Sequence, residues 1–326
     1  MKRRTMLGAS LAALPLIPAW ASEYPKKPIR LINPYPAGSP TDAVARKLAE
    51  AIAPLMGQPV YIENKSGANG AIGTMEVVRA QPDGYTLGIA IADSLISVAA
   101  ILKSPGYDAR KDLTLIRKFS KSTSTLFANS QSGILTIEEL IKRGKAKPDS
   151  ISYASYGAGT VPHMIMGTLE KLTGAQFVHV PYKGLAPAMQ EILGDVVQLS
   201  VGPGAMISQY MAKGQLKPLA TLGPERSAFL PQVPTFKERG FDTPFLRNTT
   251  WWAGLIAPKN LPPAIIARWN DVITKAISTP EFEKFLATGA GGQHPNYVES
   301  EQFTKELIAE WDATIPLIQS LGVVPQ

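Results

Sequence analysis

The sequence predicts an α/β chain folded as two lobes around a cleft. Strand and helix patterns alternate along most of its 326 residues. That length exceeds what one core serves at the rough rule of 100 to 200 residues per domain. Two Pro/Gly/Ser-rich turns, far apart in the chain, each leave a strand and open a helix.

In chain order, Lys2, Arg3 and Arg4 form a basic start, Met6 to Ala19 is apolar, and Ala19-Trp20-Ala21 has the small-x-small form of a signal-peptidase site. Residues 1–21 are therefore expected to be a secretory leader. Its apolar run is interrupted by Pro15 and Pro18 and is shorter than the roughly 20 residues of a membrane helix. The paired arginines fit either the twin-arginine or the general export route.

Ile29, Leu31 and Ile32 make a buried strand, ended by Pro34, Pro36, Gly38 and Pro40. Thr41 and Asp42 suit a helix start, and Val44, Ala45, Leu48 and Ala49 recur at helical spacing. Val60–Ile62 is a second strand. A glycine-rich turn at Gly67, Gly70 and Gly73 leads into a helix through Arg79, and Tyr85–Ile91 is a third strand. This is βαβ rhythm, which right-handed crossovers turn into parallel sheet. The polar interval Lys118–Ser124 reads as a crossing between lobes, and strand Thr125–Ala128 opens the second.

The rhythm then repeats. Helix Thr136–Lys147 precedes strand Ile151–Ala154, helix Val161–Thr173, strand Phe177–Val180 and helix Ala186–Leu193. Strand Val196–Val201, helix Ala205–Lys213 and strand Leu216–Leu222 complete it. From Gly223, prolines spaced through irregular sequence suggest a return crossing before the apolar run Trp251–Ala257. Three helices starting near Pro262, Pro280 and Val298 are expected to finish the first lobe. One lobe is thus assigned to residues 22–121 plus 223–326 and the other to 122–222, a hinge-capable arrangement.

Several chemistries lose their usual signatures. There is no cysteine, so disulfides, thiolate metal sites and Cys nucleophiles are excluded. His163, His179 and His294 have no metal-pair spacing, and the H-E-x-x-H, G-x-S-x-G and phosphate-loop patterns are absent; Gly157-Ala158-Gly159 lacks the third glycine of a dinucleotide fingerprint. No metal or cofactor is expected and no catalytic residue is assigned. Ser155, His163 and Asp195 could in principle assemble a triad, since triads are recognised by geometry. The net charge of +7, three of it in the leader, suits a small anion, and no basic stripe interleaved with aromatics suggests nucleic acid.

The two turns are the candidate site. Tyr35, Pro36, Ala37, Gly38 and Ser39 form the first, and Ser155, Tyr156, Gly157, Gly159 and Thr160 the second. Each can present backbone N–H and hydroxyl donors at a helix N-terminus, so one per lobe would grip two ends of a molecule. Taken singly, each is equally served by tight-turn glycines and a capping hydroxyl.

Five ordered blocks carry a resemblance over almost the whole mature chain: Pro34-Tyr-Pro-Ala-Gly-Ser-Pro-Thr-Asp42, Gln58-Pro-Val-Tyr-Ile-Glu-Asn-Lys-Ser-Gly-Ala-Asn-Gly70, Gln81-Pro-Asp-Gly-Tyr-Thr-Leu87, His179-Val-Pro-Tyr-Lys-Gly184 and Leu230-Pro-Gln-Val-Pro-Thr-Phe236. Together they resemble the Bug family, the extracytoplasmic substrate-binding proteins of tripartite tricarboxylate transporters. The resemblance implies a two-lobed, type II-like periplasmic binding protein fold, each lobe a mainly parallel sheet flanked by helices. It implies a monomer that closes on a small carboxylate in the periplasm and hands it to membrane permease subunits. A sensory protein presenting the same closed form to a receptor, and a Ser/His hydrolase, are the alternatives.

The resemblance places the carboxylate between residues 35–39 and 155–160. His163 matches a family position that either supports the helix start or touches ligand. Lys183 is either a cleft cation or solvated surface. Three departures stand out. Ala37 replaces a common glycine, Gly202 stands near a common acidic residue, and Asp93, followed by Ser94, stands where small neutral residues are common. Asp93 either caps a helix or faces the cleft, where its charge would favour an amine or hydroxyl on the ligand. The expected ligand is a di- or monocarboxylate, and if Asp93 faces the cleft, a monocarboxylate, an amino acid or an aromatic acid in place of a tricarboxylate.

Overall fold

The computed structural model describes residues 24–182, 185–288 and 292–325. The expected leader and Lys183 lie outside these residues. The first run is β1 (Ile29–Asn33), α1 (Pro40–Met56), β2 (Val60–Asn64), α2 (Ala71–Val78) and β3 (Thr86–Ala90). A π-helical turn, Asp93–Ser97, follows, with α3 (Val98–Ile101), α4 (Ala109–Asp112) and β4 (Leu113–Ser122) after it. β5 (Ser124–Asn129) starts a second run through α5 (Ile137–Ala146), β6 (Ser152–Ser155), α6 (Val161–Thr173), β7 (Val178–Pro181) and α7 (Leu185–Leu193). It ends with β8 (Leu199–Pro203), α8 (Gly204–Ala212) and β9 (Leu216–Thr221). The chain returns through α9 (Pro244–Asn248), β10 (Trp251–Pro258), α10 (Pro263–Ile277), α11 (Pro280–Thr288), β11 (His294–Glu299) and α12 (Ser300–Ser320).

Two mixed sheets result, ordered β11-β4-β10-β3-β1-β2 and β7-β6-β8-β5-β9. The βαβ units give the parallel pairings of β1 with β2 and β3, and of β6 with β7 and β8. The strands adjoining the crossings enter antiparallel: β10 between β3 and β4, and β5 between β8 and β9. Each sheet has its own apolar core. Leu31, Leu48, Leu255 and Trp269 belong to one, and Leu126, Ile165, Leu199 and Phe236 to the other.

Three features depart from the sequence reading. The polar interval from Lys118 is strand, not loop: β4 runs to Ser122, and Thr123 alone separates it from β5. Two of its buried polar side chains find distant partners. Lys118 meets Glu306 at 2.8 Å and Ser122 Oγ donates to the Gly292 carbonyl at 2.8 Å. The edge strand β11 was not anticipated, since Pro295 breaks its pattern; it sits at a register shift against β4, where an edge tolerates proline. The last helix does more than finish the first lobe. At 21 residues it is about 31 Å long. Phe303 and Leu307 pack with Trp252 beside the first sheet, whereas Ile318 is buried in the second core.

Candidate ligand-binding site

The first turn follows from the end of β1. Ser39 N–H donates to the Pro36 carbonyl at 3.2 Å, and Gly38 between them has φ +79°, the left-handed third position of a type II turn. Ser39 then caps α1, its Oγ accepting from Asp42 N–H at 3.2 Å, with proline in the first helical turn. Asp42 Oδ2 accepts from Gly38 N–H and from Arg46 Nε, both at 2.9 Å, while Oδ1 accepts from Asn64 Nδ2 at 2.8 Å. Burial pushes the Asp42 carboxyl up, but these three donors outweigh it and hold its pKa below the usual value. Asn64 Nδ2 and Asn33 Nδ2 also donate to the Tyr35 carbonyl, which fixes the start of the turn.

The second turn repeats the first atom for atom at its key contacts. Thr160 N–H donates to the Gly157 carbonyl at 3.4 Å, Gly159 has φ +74°, and proline again stands in the first turn of the helix, α6. Gly159 N–H donates to Nδ1 of His163 at 3.0 Å, the same glycine-to-fourth-residue bond that joins Gly38 to Asp42. His163 thus supports the helix start, and its proton must sit on Nε2. Thr160 occupies the cap position, yet its Oγ1 donates to the Gly157 carbonyl at 2.7 Å and makes no cap bond.

These bonds decide which donors remain. Gly38, Gly157 and Gly159 N–H are all engaged within their turns. The N–H groups of Ala37, Tyr156 and Ala158 meet no acceptor among the described residues. The middle of each turn, not its glycines, is therefore what a ligand can use.

Below the second turn, Ser155 is fully buried, and its Oγ accepts from Gly157 N–H at 3.1 Å and lies 2.5 Å from His179 Nε2. Tyr153, His179 and His163 stack, with centroids 5.0 and 4.4 Å apart. Burial, then the neighbouring His163, pushes His179 down to about 4, and burial alone lowers His163. Both imidazoles are neutral packing elements at neutral pH. The in-principle triad of Ser155, His163 and Asp195 does not assemble: His163 is bound to Gly159, Ser155 has no exposed surface, and the buried Asp195 Oδ1 has no partner among the described residues.

Asp93 settles between its two readings. It opens the π-helical turn without capping it, and its carboxylate accepts one hydrogen bond among the described residues, from Ser97 Oγ at 3.3 Å. No ion pair reaches it among the described residues. Burial pushes its carboxyl up to about 6. Ser94 is fully buried and its Oγ donates to the Ile91 carbonyl at 3.1 Å, so it buttresses the turn. The Tyr35 hydroxyl is buried and approaches the Ser94 hydroxyl without making a well-formed hydrogen bond. Both Tyr35 and Tyr156 are raised, first by burial and then by the Asp93 charge, which places Asp93 within electrostatic reach of both turns.

Gly202 is buried in β8, where a Cβ would meet Met206 Cε at 2.8 Å and Phe127 at 3.4 Å; the space for a larger side chain is already filled. Sequence reasoning missed Asn64, which ties Tyr35 to Asp42, although it stands in one of the family blocks. It also missed Glu310 on α12, which accepts from Trp252 Nε1 at 2.8 Å and is raised by burial with a contribution from Asp93. No local pattern marks Glu310. A surface groove along α10, past Ile266, Asn270 and Glu299, shares no residue with either turn. No cluster able to hold a metal occurs among the described residues.

Comparison with known proteins finds relatives over nearly the whole chain. The chain is 35% identical over 317 residues, 96% of its length and 93% of the relative's, to the UPF0065 protein in the gbd 5' region of Cupriavidus necator. It is 31% identical over 300 residues, 91% of each chain, to protein BugT of Bordetella pertussis. The structure of the periplasmic binding protein BugD superposes with a TM-score of 0.78 at 30% identity, covering 93% of this chain and all of that one. Of these, BugD is a periplasmic binding protein. The model of the tripartite tricarboxylate transporter family receptor matches residues 44–323, and this chain belongs to that family of periplasmic solute-binding proteins.

Proposed function

We propose that the protein captures a small carboxylate between residues 35–39 and 155–160 and delivers it to the membrane permease subunits of a tripartite tricarboxylate-type transporter. The observation that carries this reading is the repeated turn. Both turns orient an unpaired N–H, of Ala37 and of Ala158, at the N-terminus of a helix of 17 or 13 residues. Helix N-termini favour anions through their partial positive charge. The Gly38–Asp42 and Gly159–His163 bonds hold the turns in shape before ligand arrives, so little ordering cost falls on binding.

Export follows the same reading, with residues 1–21 removed; intact-mass measurement of periplasmic protein should show a chain beginning at Ser22. Thermal-shift screening against mono-, di- and tricarboxylates tests the ligand class. A carboxylate present at 100 times its Kd stabilises the fold by about 2.7 kcal/mol. A panel in which no carboxylate raises the melting temperature would refute the assignment.

A further inference from the structure

The segment from Asp93 to Ile101 links the two turns. At one end, a Cβ on Gly70 would meet Ser94 Cβ at 2.8 Å and the Tyr35 hydroxyl at 3.2 Å, so the start of the π-helical turn lies against the first jaw. At the other, a Cβ on Gly159 would meet Ile101 Cγ2 at 2.8 Å, so α3 lies against the second. Asp93 therefore stands on the floor between the jaws. π-Helical turns of this kind recur at functional sites. Among the described residues no ion pair reaches Asp93, and the groups its charge acts on are the Tyr35 and Tyr156 hydroxyls and the carboxylate of Glu310. Lys118, whose charge acts on Glu310, is already bound to Glu306 and lies over the Trp252 ring at 4.8 Å.

Asp93 is half-buried, and a partly desolvated carboxylate without a counter-ion is costly unless a partner arrives. The Tyr35 hydroxyl, buried beside a Ser94 hydroxyl that already donates to the Ile91 carbonyl, adds a second polar group that is poorly satisfied within the protein. A ligand held only by carboxylate groups would bring a like charge to this floor. An ammonium group would be drawn to it. We propose that Asp93 selects a ligand that carries a protonated amine beside its carboxylate, an amino acid, over the same acid lacking the amine. This rests on the carboxylate reading of the two turns.

The test is calorimetric titration of the purified protein with matched pairs that differ by one amine: propionate and alanine, succinate and aspartate, glutarate and glutamate, 3-phenylpropionate and phenylalanine. In at least one pair the amine-bearing member should bind about 10- to 100-fold more tightly, the range of one charge-assisted contact. Asp93→Asn and Asp93→Ser, both able to keep a polar contact with Ser97, should each reduce that preference to about threefold or less while the amine-free acid binds as well or better. Carboxylates that bind with no preference for the amine, or a preference that survives both substitutions, would overturn the inference and leave the carboxylate receptor standing. Absence of binding by every acid and amino acid would overturn both.

Discussion

Replacing Asp93 with asparagine should make the ligand-free protein more stable, and the gain should grow with pH. Asparagine has nearly the same shape and keeps an oxygen for the Ser97 hydroxyl, so the substitution removes charge and little else. Burial raises the Asp93 carboxyl from its ordinary 3.8 to about 6, about two pKa units at 1.36 kcal/mol each. Its pKa is higher in the folded state, so between pH 3.8 and about 6 the native protein holds more protons than the unfolded chain. Stability contributed by this group therefore falls as pH rises through that window. The penalty amounts to about 1 kcal/mol at pH 4.5 and about 3 kcal/mol at pH 7.5. Urea denaturation of wild type and Asp93→Asn at both pH values measures it directly. The variant should gain about 2 kcal/mol more at the higher pH. An equal gain at both pH values, or a loss at pH 7.5, would show that Asp93 has a compensating partner and would refute the reasoning. A residue that destabilises the fold in this way is the kind that function retains.

Other substitutions probe the frame around the site. Gly38→Ala should cost about 1–2 kcal/mol from its left-handed backbone alone, because its Cβ would meet nothing within 4 Å. Gly159→Ala adds a clash with Ile101 and should cost about 2–5 kcal/mol in thermal unfolding; equal losses would show that the second jaw does not rest on α3. His179→Gln tests the stacked imidazoles. Their pKa values are lower in the folded state, so as pH falls below 6.5 the unfolded chain takes up protons first and stability is lost down to about pH 4. Relative to wild type, the variant should gain roughly 1–2 kcal/mol on going from pH 7.5 to 5; no change would mean that His179 is not held neutral. Lys118→Met should lose about 2–3 kcal/mol by denaturant titration, because Glu306 and the raised Glu310 are left without their cation. A neutral result would show that the buried cation is dispensable.

Much of the fold was legible because its signals are local. Ile29, Leu31 and Ile32 are all fully buried, as their run of apolar residues suggests, and the Pro36–Pro40 interval ends the strand where proline and glycine must. Helix α6 begins and ends where its pattern does, with Gly174 in the left-handed conformation after it. The polar half of β4 was illegible because Lys118, Ser120 and Ser122 look like surface and are buried, Lys118 and Ser122 against partners on α12 and at Gly292. The same holds at the site. Pro, Gly, Ser and Thr spell out both turns within a few residues. The bonds that choose among their donors are partly local, Gly38 to Asp42 and Gly159 to His163, and partly from far away, Asn64 to the Tyr35 carbonyl and His179 to Ser155. Asp93 drew notice as an oddity of sequence, but only the unlinked proximity of Tyr35, Tyr156 and Glu310 shows where it stands.

The central claim is that one carboxylate ligand is held by the unpaired amides in the middle of the two turns. Proline suits the second position of a type II turn and has no N–H, so Ala37→Pro and Ala158→Pro delete those donors while fitting the turns. The deciding measurement is a calorimetric titration of wild type and both variants with a carboxylate that stabilises the wild-type protein. Wild type should bind one equivalent without turnover. Each variant, with an unchanged ligand-free melting temperature, should bind about tenfold or more weakly, the loss of one hydrogen bond to a charged group. Equal affinity in all three proteins would contradict the account.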